Sequence, residues 1–416
     1  MVPPSDEIRP QKSPQRLYLD NAATSFPKPR AVTEAMTRFA TELGASPGRG
    51  AYAESREAAE LMWRCRERIC TLINGEKPEH VVFTLNTSDA LNLAIRGLLD
   101  HHDRPHVITT HMDHNSVLRP FNALADDDKI EQTRIPVDPV TGLVDPEDIR
   151  AAVRPNTKLV AAVHASNVTG TLQPIASIGR VCRDCAVPLL VDAAQTIGHL
   201  PIDVQANCID LLAFPGHKGL LGPLGTGGLY IRPGLERMLR PSRWGGTGSV
   251  SESDRQPETM PDRYEPGSHN AIGLIGLSEG VAWLLDKGVD TLWAHEQELI
   301  RVFINGLRQG DGTPLPGLRL LGPPTADDRV GVFSVTLDGT PPGELAQRLE
   351  DEYGVLTRAG LHCAPLAHAT FGTTPNDVGS TLAGATRFSL GPFVNLEQVR
   401  YATDALAQLC YAKAAV

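Results

Sequence analysis

The sequence predicts an α/β fold, a mostly parallel buried sheet between helices, followed by a smaller α+β unit toward the C-terminus. Three observations carry this expectation. Apolar runs of strand length recur at Val81–Phe83, His106–Thr109, Leu159–His164, Leu189–Val191, Leu211–Phe214 and Gly227–Ile231. Segments with helical spacing lie between several of them, at Ser88–Leu99, Asp145–Val153 and Ile175–Cys185, and strands alternating with helices build a sheet covered on both faces. The composition then changes. Arg243 to Asn270 is rich in Gly, Ser, Pro and charge and reads as one long loop, a kind of segment that is commonly functional or disordered. Beyond it the pattern gives helices at Ala271–Leu285 and Thr291–Leu307, a strand at Val330–Leu337, a helix at Pro342–Tyr353, short strands at Val355–Arg358 and Thr386–Ser389, and a last helix at Leu396–Tyr411. The chain is thereby expected to divide into an N-terminal arm (1–16), a large domain (17–270) and a small domain (271–416).

Composition excludes several classes of function. The 416 residues are 41% hydrophobic and 21% charged, ordinary for a globular protein that buries its own core. The net charge of −10 argues against nucleic acid, whose phosphates demand an excess of Lys and Arg. No apolar run approaches the ~18 residues that span a bilayer. The first residues, with Pro3, Pro4, Asp6, Glu7 and Pro10, lack the apolar stretch of a secretory signal. Seven scattered cysteines do not form a disulfide framework, so a cytoplasmic location is expected. Cys182-x-x-Cys185 is a single pair in a helical segment; buried thiols are the favoured reading, and no metal site is expected.

The chemistry begins at Phe214-Pro215-Gly216-His217-Lys218-Gly219, followed by the glycine-rich run 222–228. A lysine among glycines, just after an apolar strand, sits where backbone can approach a ligand closely, and lysine forms Schiff bases with carbonyl cofactors such as pyridoxal phosphate. Taken alone, the same turn also reads as a solvated surface loop. The order of a nucleotide-binding P-loop is absent. Upstream, Leu189-Leu190-Val191-Asp192 is a buried strand ending in a carboxylate, at the edge where α/β folds bind ligands; alone, Asp192 also reads as a helix cap.

Together, Val191-Asp192-Ala193-Ala194-Gln195 and Gly216-His217-Lys218 resemble the fold-type I pyridoxal-phosphate enzymes, and most of all the class V aminotransferase and cysteine desulfurase family. Agreement runs from Tyr18-Leu19-Asp20-Asn21-Ala22-Ala23-Thr24 to Arg387, nearly the whole chain. The resemblance implies a seven-stranded sheet, a pyridoxal 5'-phosphate cofactor linked to Lys218, and Asp192 beside the ring nitrogen. It places Thr87 and Ser88 at the phosphate, where a helix N-terminus offers free N–H groups. It stacks His114 on the ring, sets Asn167 of Ser166-Asn167-Val168-Thr169-Gly170-Thr171 near the ring hydroxyl and the substrate carboxylate, and brings Gln195 to the ring hydroxyl and His217 to the phosphate. Two positions depart from the family. Pro215 stands where relatives often carry Ser or Thr, and proline has no hydroxyl or N–H to give. Ser268 replaces Thr in Tyr264-Glu265-Pro266-Gly267-Ser268-His269-Asn270, a loop that in relatives reaches the other subunit's phosphate; a homodimer is expected on that ground.

Arg358-Ala359-Gly360-Leu361-His362-Cys363 resembles the family's cysteine loop, and Arg387 its arginine for the substrate carboxylate, a task that suits a guanidinium. A thiolate is the nucleophile and nearby cations favour it; Arg358 and His362 are the candidates to supply them. The implied reaction converts L-cysteine to L-alanine and leaves a persulfide on Cys363 for a sulfur-acceptor protein. The glycines between Ala364 and Ala385 would let that segment move. Selenocysteine lyase, another C–S lyase and a true aminotransferase are the neighbouring readings. A non-catalytic member that only binds is the remote one.

Overall fold

The computed structural model describes residues 16–48, 50–247, 249, 252–374 and 382–415. The expected arm at 1–16 lies outside them except for Arg16, as does part of the segment expected to move. In chain order the elements are β1 (Leu17–Tyr18), α1 (Arg30–Arg38), α2 (Ala53–Leu72), β2 (Val81–Thr84), α3 (Thr87–Leu99), β3 (His106–Thr110), α4 (Asn115–Asp126), β4 (Glu131–Ile135), α5 (Pro146–Ala152), β5 (Thr157–Val163), α6 (Ile175–Asp184), β6 (Leu189–Asp192), β7 (Leu211–Pro215) and β8 (Gly227–Ile231). Then come α7 (Ala271–Lys287), α8 (Val289–Gly306), β9 (Leu318–Leu320), β10 (Val332–Leu337), α9 (Pro342–Tyr353), β11 (Val355–Leu356), β12 (Arg358–Gly360), α10 (Pro365–Thr370), β13 (Ala385–Ser389) and α11 (Leu396–Ala414).

The expected seven-stranded sheet is present, in the order β2-β8-β7-β6-β5-β3-β4. All its strands share one direction except β8, which runs against both β7 and β2. Alternate residues of each central strand enter opposite cores. Val160, Val191 and Phe214 face the core made with α2, α6 and α7, whereas Leu159, Leu190 and Ala213 face that made with α3 and α4. With both faces covered, these strands read in sequence as unbroken apolar runs. Edge strand β4 does not: Glu131–Arg134 is half-exposed and polar, a composition that blunts edge pairing, and it is absent from the sequence-based assignment. Helices α1, α2 and α4 are absent from it too, although α2 buries Ala58, Met62, Cys65 and Ile69 at the three-and-four spacing of a core-facing helix.

The C-terminal residues form a four-stranded antiparallel sheet, β12-β13-β10-β9, packed with α8, α9 and α11. Two elements cross the residue boundaries given above. β1 pairs in parallel with β11, and Leu17 and Leu19 enter the C-terminal core. Helix α7 lays Leu274, Leu277, Val281 and Leu284 into the core under the large sheet. Residues 243–270 contain neither α-helix nor strand among the described positions.

That loop is anchored by one buried ion pair. Arg66 of α2 and Glu265, both 4% exposed, meet through two parallel hydrogen bonds. Glu265 also accepts from the Phe83 N–H at 2.5 Å, and the guanidinium lies 4.0 Å over the Phe83 ring. Removing one partner of such a pair strands a buried charge, at a cost of about 3–5 kcal/mol. Glu265→Gln is therefore expected to lower the unfolding free energy measured by urea titration by an amount of that order, and the double change Arg66→Met with Glu265→Leu by clearly less.

Candidate active site

Because β2, β3, β5, β6 and β7 point the same way, the residues that follow them converge on one edge of the sheet. There a single cavity is lined by Thr87 and Ser88 after β2, His114 after β3, Asn167 after β5, Asp192 and Gln195 at the end of β6, and His217 and Lys218 after β7. Eight of the residues expected from sequence thus share one cavity, at the carboxyl ends of parallel strands where ligands bind in this class of fold.

Each is held by local chemistry. The Asn86 side chain caps α3 by accepting from the Asp89 N–H at 3.0 Å, which leaves Thr87 and Ser88 in a first turn whose N–H groups have no partner within the helix. Ser88 Oγ lies 2.7 Å from Ser116 Oγ, and Ser116 donates its backbone N–H to His114 Nδ1 at 3.1 Å. That nitrogen therefore carries a lone pair, and the ring's proton sits on Nε2. Burial, reinforced by Lys218 and nearby arginines, pushes His114 down to about 4, so it is neutral. Asp113, just before it, is fully enclosed and accepts from Thr109 Oγ1, the Thr110 N–H and the Val163 N–H at 2.7 Å each. It joins the ends of β3 and β5, and burial raises its carboxyl to about 6.

Asp192 accepts from the Ala194 N–H at 2.9 Å; burial pushes its carboxyl up, and that bond and then Lys218 pull it partly back. Lys218 opens on the cavity but is enclosed by protein, which pushes its amine down to about 8 against the pull of Asp192. The glycines beside it are close approaches. A Cβ on Gly216 would meet Thr226 Oγ1 at 2.1 Å, and one on Gly219 would meet the Ile197 carbonyl at 2.1 Å. Pro215 ends β7 opposite Gly227. The His217 carbonyl accepts from Lys28 Nζ at 3.0 Å. His217 Nδ1 and Asn167 Oδ1 are buried without a protein partner, and Gln195 uses its Nε2 on the Ala22 carbonyl.

The cysteine loop adjoins this cavity without lining it. The Cys363 carbonyl accepts from the Asn115 N–H at 2.8 Å, and the His362 carbonyl accepts from Asn167 Nδ2 at 2.6 Å. His362 and Cys363 both have positive φ, +50° and +57°, a strained turn of the kind that concentrates at functional sites. It leaves the Cys363 side exposed. His362 is not a cation here. Burial, Arg387 and His368 push it down to about 2, so of the two groups expected to favour a thiolate only Arg358, exposed on β12 and paired in register with Arg387, carries charge.

Arg387 is 2% exposed. It donates through Nη2 to Asp20 at 2.7 Å and through Nη1 to the Asn167 carbonyl at 3.1 Å, and its Nε has no partner. Ser268 does not reach the main cavity; it lines a separate one with Leu85, Asp89 and Arg243. Cys182 is buried in α6 and Cys185 half-buried at its end, and all seven cysteines are unpaired. Sequence reasoning gave no role to Asp113, Ser116, Lys28 or Asp20. The first two stand in the His114 segment and Asp20 in the first matching motif, but their contacts arise only on folding.

The described residues contain no helix long and apolar enough to cross a membrane. Residues 17–401 match the aminotransferase class-V family. The chain is 34% identical to a probable cysteine desulfurase of Methanothermobacter thermautotrophicus over 84% of both proteins, and 32% identical to one of Streptomyces coelicolor over 92% of both. Its fold superposes on the cysteine desulfurase of Thermococcus onnurineus with a TM-score of 0.87 at 31% identity, covering 95% of each chain. The chain accordingly belongs to the class-V aminotransferase family.

Proposed function

We propose that the chain is a pyridoxal-phosphate-dependent cysteine desulfurase that converts L-cysteine to L-alanine and carries the sulfur away on Cys363. The observation that supports this most is the joining of the Lys218 cavity to the cysteine loop by two bonds, Asn115 to Cys363 and Asn167 to His362. The named relatives point the same way.

The residues fit the cofactor. The first turn of α3, with Thr87, Ser88 and the unpartnered His217 Nδ1, would hold its phosphate. Asp192 would hold its ring nitrogen, His114 its face, Gln195 its ring hydroxyl and Lys218 its aldehyde carbon. Bound there, pyridoxal phosphate supplies an electron sink for the substrate's α- and β-carbons. Asp192 is fixed for that contact with the ring nitrogen by the Ala194 N–H. Lys218, shifted to about 8, is the amine that takes and returns the substrate's α-proton. His114 holds its proton on Nε2 and adds no positive charge. Arg387 would receive the substrate carboxylate through the Nε that has no protein partner, with Asn167 and Arg358 beside it. The Cys363 thiolate attacks the substrate's sulfur. An S–S bond forms, the C–S bond breaks with its electron pair staying on carbon, and that carbon gains a proton and leaves as alanine. The exposed Cys363 can then pass its sulfur to an acceptor thiol. The unpaired cysteines suit a reducing cytoplasm. The exposed Leu85, which lines the cavity that holds Ser268, and the exposed Leu224 and Trp244, next in sequence to its lining residues Gly225 and Arg243, are the face we assign to a second copy, in which Ser268 would serve the partner's phosphate.

Cys363→Ser is expected to abolish sulfide release from L-cysteine while the yellow cofactor absorption persists; undiminished release would remove the nucleophile. Attachment of pyridoxal phosphate to cofactor-free protein requires a neutral lysine. Its rate should rise with pH to a plateau just above the value of about 8 for Lys218. A rate still rising at the ordinary lysine pKa near ~10.4 would contradict the enclosed amine.

A further inference from the structure

Arg329 is fully buried, at 0% exposure, and among the described residues no carboxylate pairs with it. An unpaired buried charge is costly, and burial pushes this guanidinium down to about 9. Its partners are main-chain carbonyls instead. Nη1 donates to Pro323, and Nη2 to Thr169, with Leu321 at 3.3 Å and Val332 at 3.4 Å; the Phe333 ring lies 4.9 Å away. Those carbonyls belong to separate stretches of chain: the turn after β9, strand β10, and the loop 166–171 that follows β5.

The same loop is bound to the C-terminal unit by main chain on both sides of Arg329. The Val330 N–H donates to Gly170 at 2.9 Å and the Leu172 N–H to Asp328 at 2.8 Å, and Ser334 Oγ donates to the Val168 carbonyl at 2.6 Å. Gly170 has φ +76°, and a Cβ there would stand 2.5 Å from the Val332 carbonyl, so only glycine permits this approach. Asn167 rides on this loop, its carbonyl meeting Arg387 and its side chain meeting His362. Lys218 and Asp192 come from β7 and β6, outside the network.

We propose that Arg329 is a positioning residue: its guanidinium gathers the carbonyls that shape loop 166–171, and through Asn167 it sets where Arg387 meets the substrate carboxylate. This rests on the desulfurase reading for its substrate. Lysine is no substitute, because a single ammonium lacks the planar fork that reaches several carbonyls at once.

The test uses the full chain with Arg329→Lys and, as a milder companion, Ser334→Ala, which keeps the guanidinium and removes one bond to the same loop. Amide hydrogen exchange of the peptide covering 166–172 should quicken on the order of tenfold in Arg329→Lys and less in Ser334→Ala, with the peptides carrying Asp192 and Lys218 unchanged. KM for L-cysteine should rise on the order of tenfold with kcat nearly constant, and cofactor attachment should keep its pH dependence. Unchanged exchange at 166–172 in both variants overturns the proposal. So does a uniform quickening across the chain with kcat and cofactor attachment falling together, the mark of a purely structural arginine. If Arg329→Lys does not accumulate, Ser334→Ala must still shift the 166–172 peptide, and no shift there overturns it equally. A wild-type chain that consumes no cysteine defeats the desulfurase reading, and the exchange measurement then decides the role of Arg329 alone.

Discussion

The common direction of five strands governs everything else in this molecule. A parallel strand delivers the residue after its carboxyl end to the same sheet edge as its neighbours, so residues from 87 to 218 meet in one cavity. Parallel strands need long crossovers, most of them helical here, although β6 reaches β7 through a helix-free connection; the covering layers bury both sheet faces, and burial on both faces demands apolar runs. The hydrophobic pattern and the position of the cavity are thus two consequences of one topological fact. Strand β8, the single reversal, closes against β7 and β2 and sets the lysine turn beside the N-terminus of α3.

Enclosure then sets the protonation of the groups. Lys218 and His114 are both lowered, chiefly by loss of water, and each also feels the other's neighbourhood of cations. Asp192 is raised by the same enclosure and held back by Lys218. The result is an amine with an accessible neutral form, a neutral imidazole and a carboxyl group shifted upward within one pocket, a set of displacements that an open surface cannot create. Arg387 and Asp20 form a second electrostatic centre next to it, joined to the first through Asn167.

What was legible in the sequence follows the same logic. Central strands and the residues just after them could be read, because apolar runs end abruptly at Asp192 and before Lys218, and the family resemblance named their roles. Strand β4 could not, since an edge strand need not be apolar. Contacts between distant segments were also hidden. Asp20 and Arg387 stand 367 positions apart, and nothing local to either announces the pair. The neutrality of His362 depends on its burial and on the nearness of Arg387 and His368, whereas in sequence it is simply a histidine beside a cysteine. Ser116 reads as an ordinary helix-start serine until folding sets it between Ser88 and His114.

The central claim is that Cys363 itself takes the sulfur. The most direct measurement is peptide mass mapping of the loaded protein after a brief exposure to L-cysteine, with free thiols blocked at quenching. The account predicts one added sulfur atom on the peptide containing Cys363 and on none of the peptides containing the other six cysteines. An unmodified Cys363 peptide alongside alanine production, or added sulfur on a different cysteine, would contradict it.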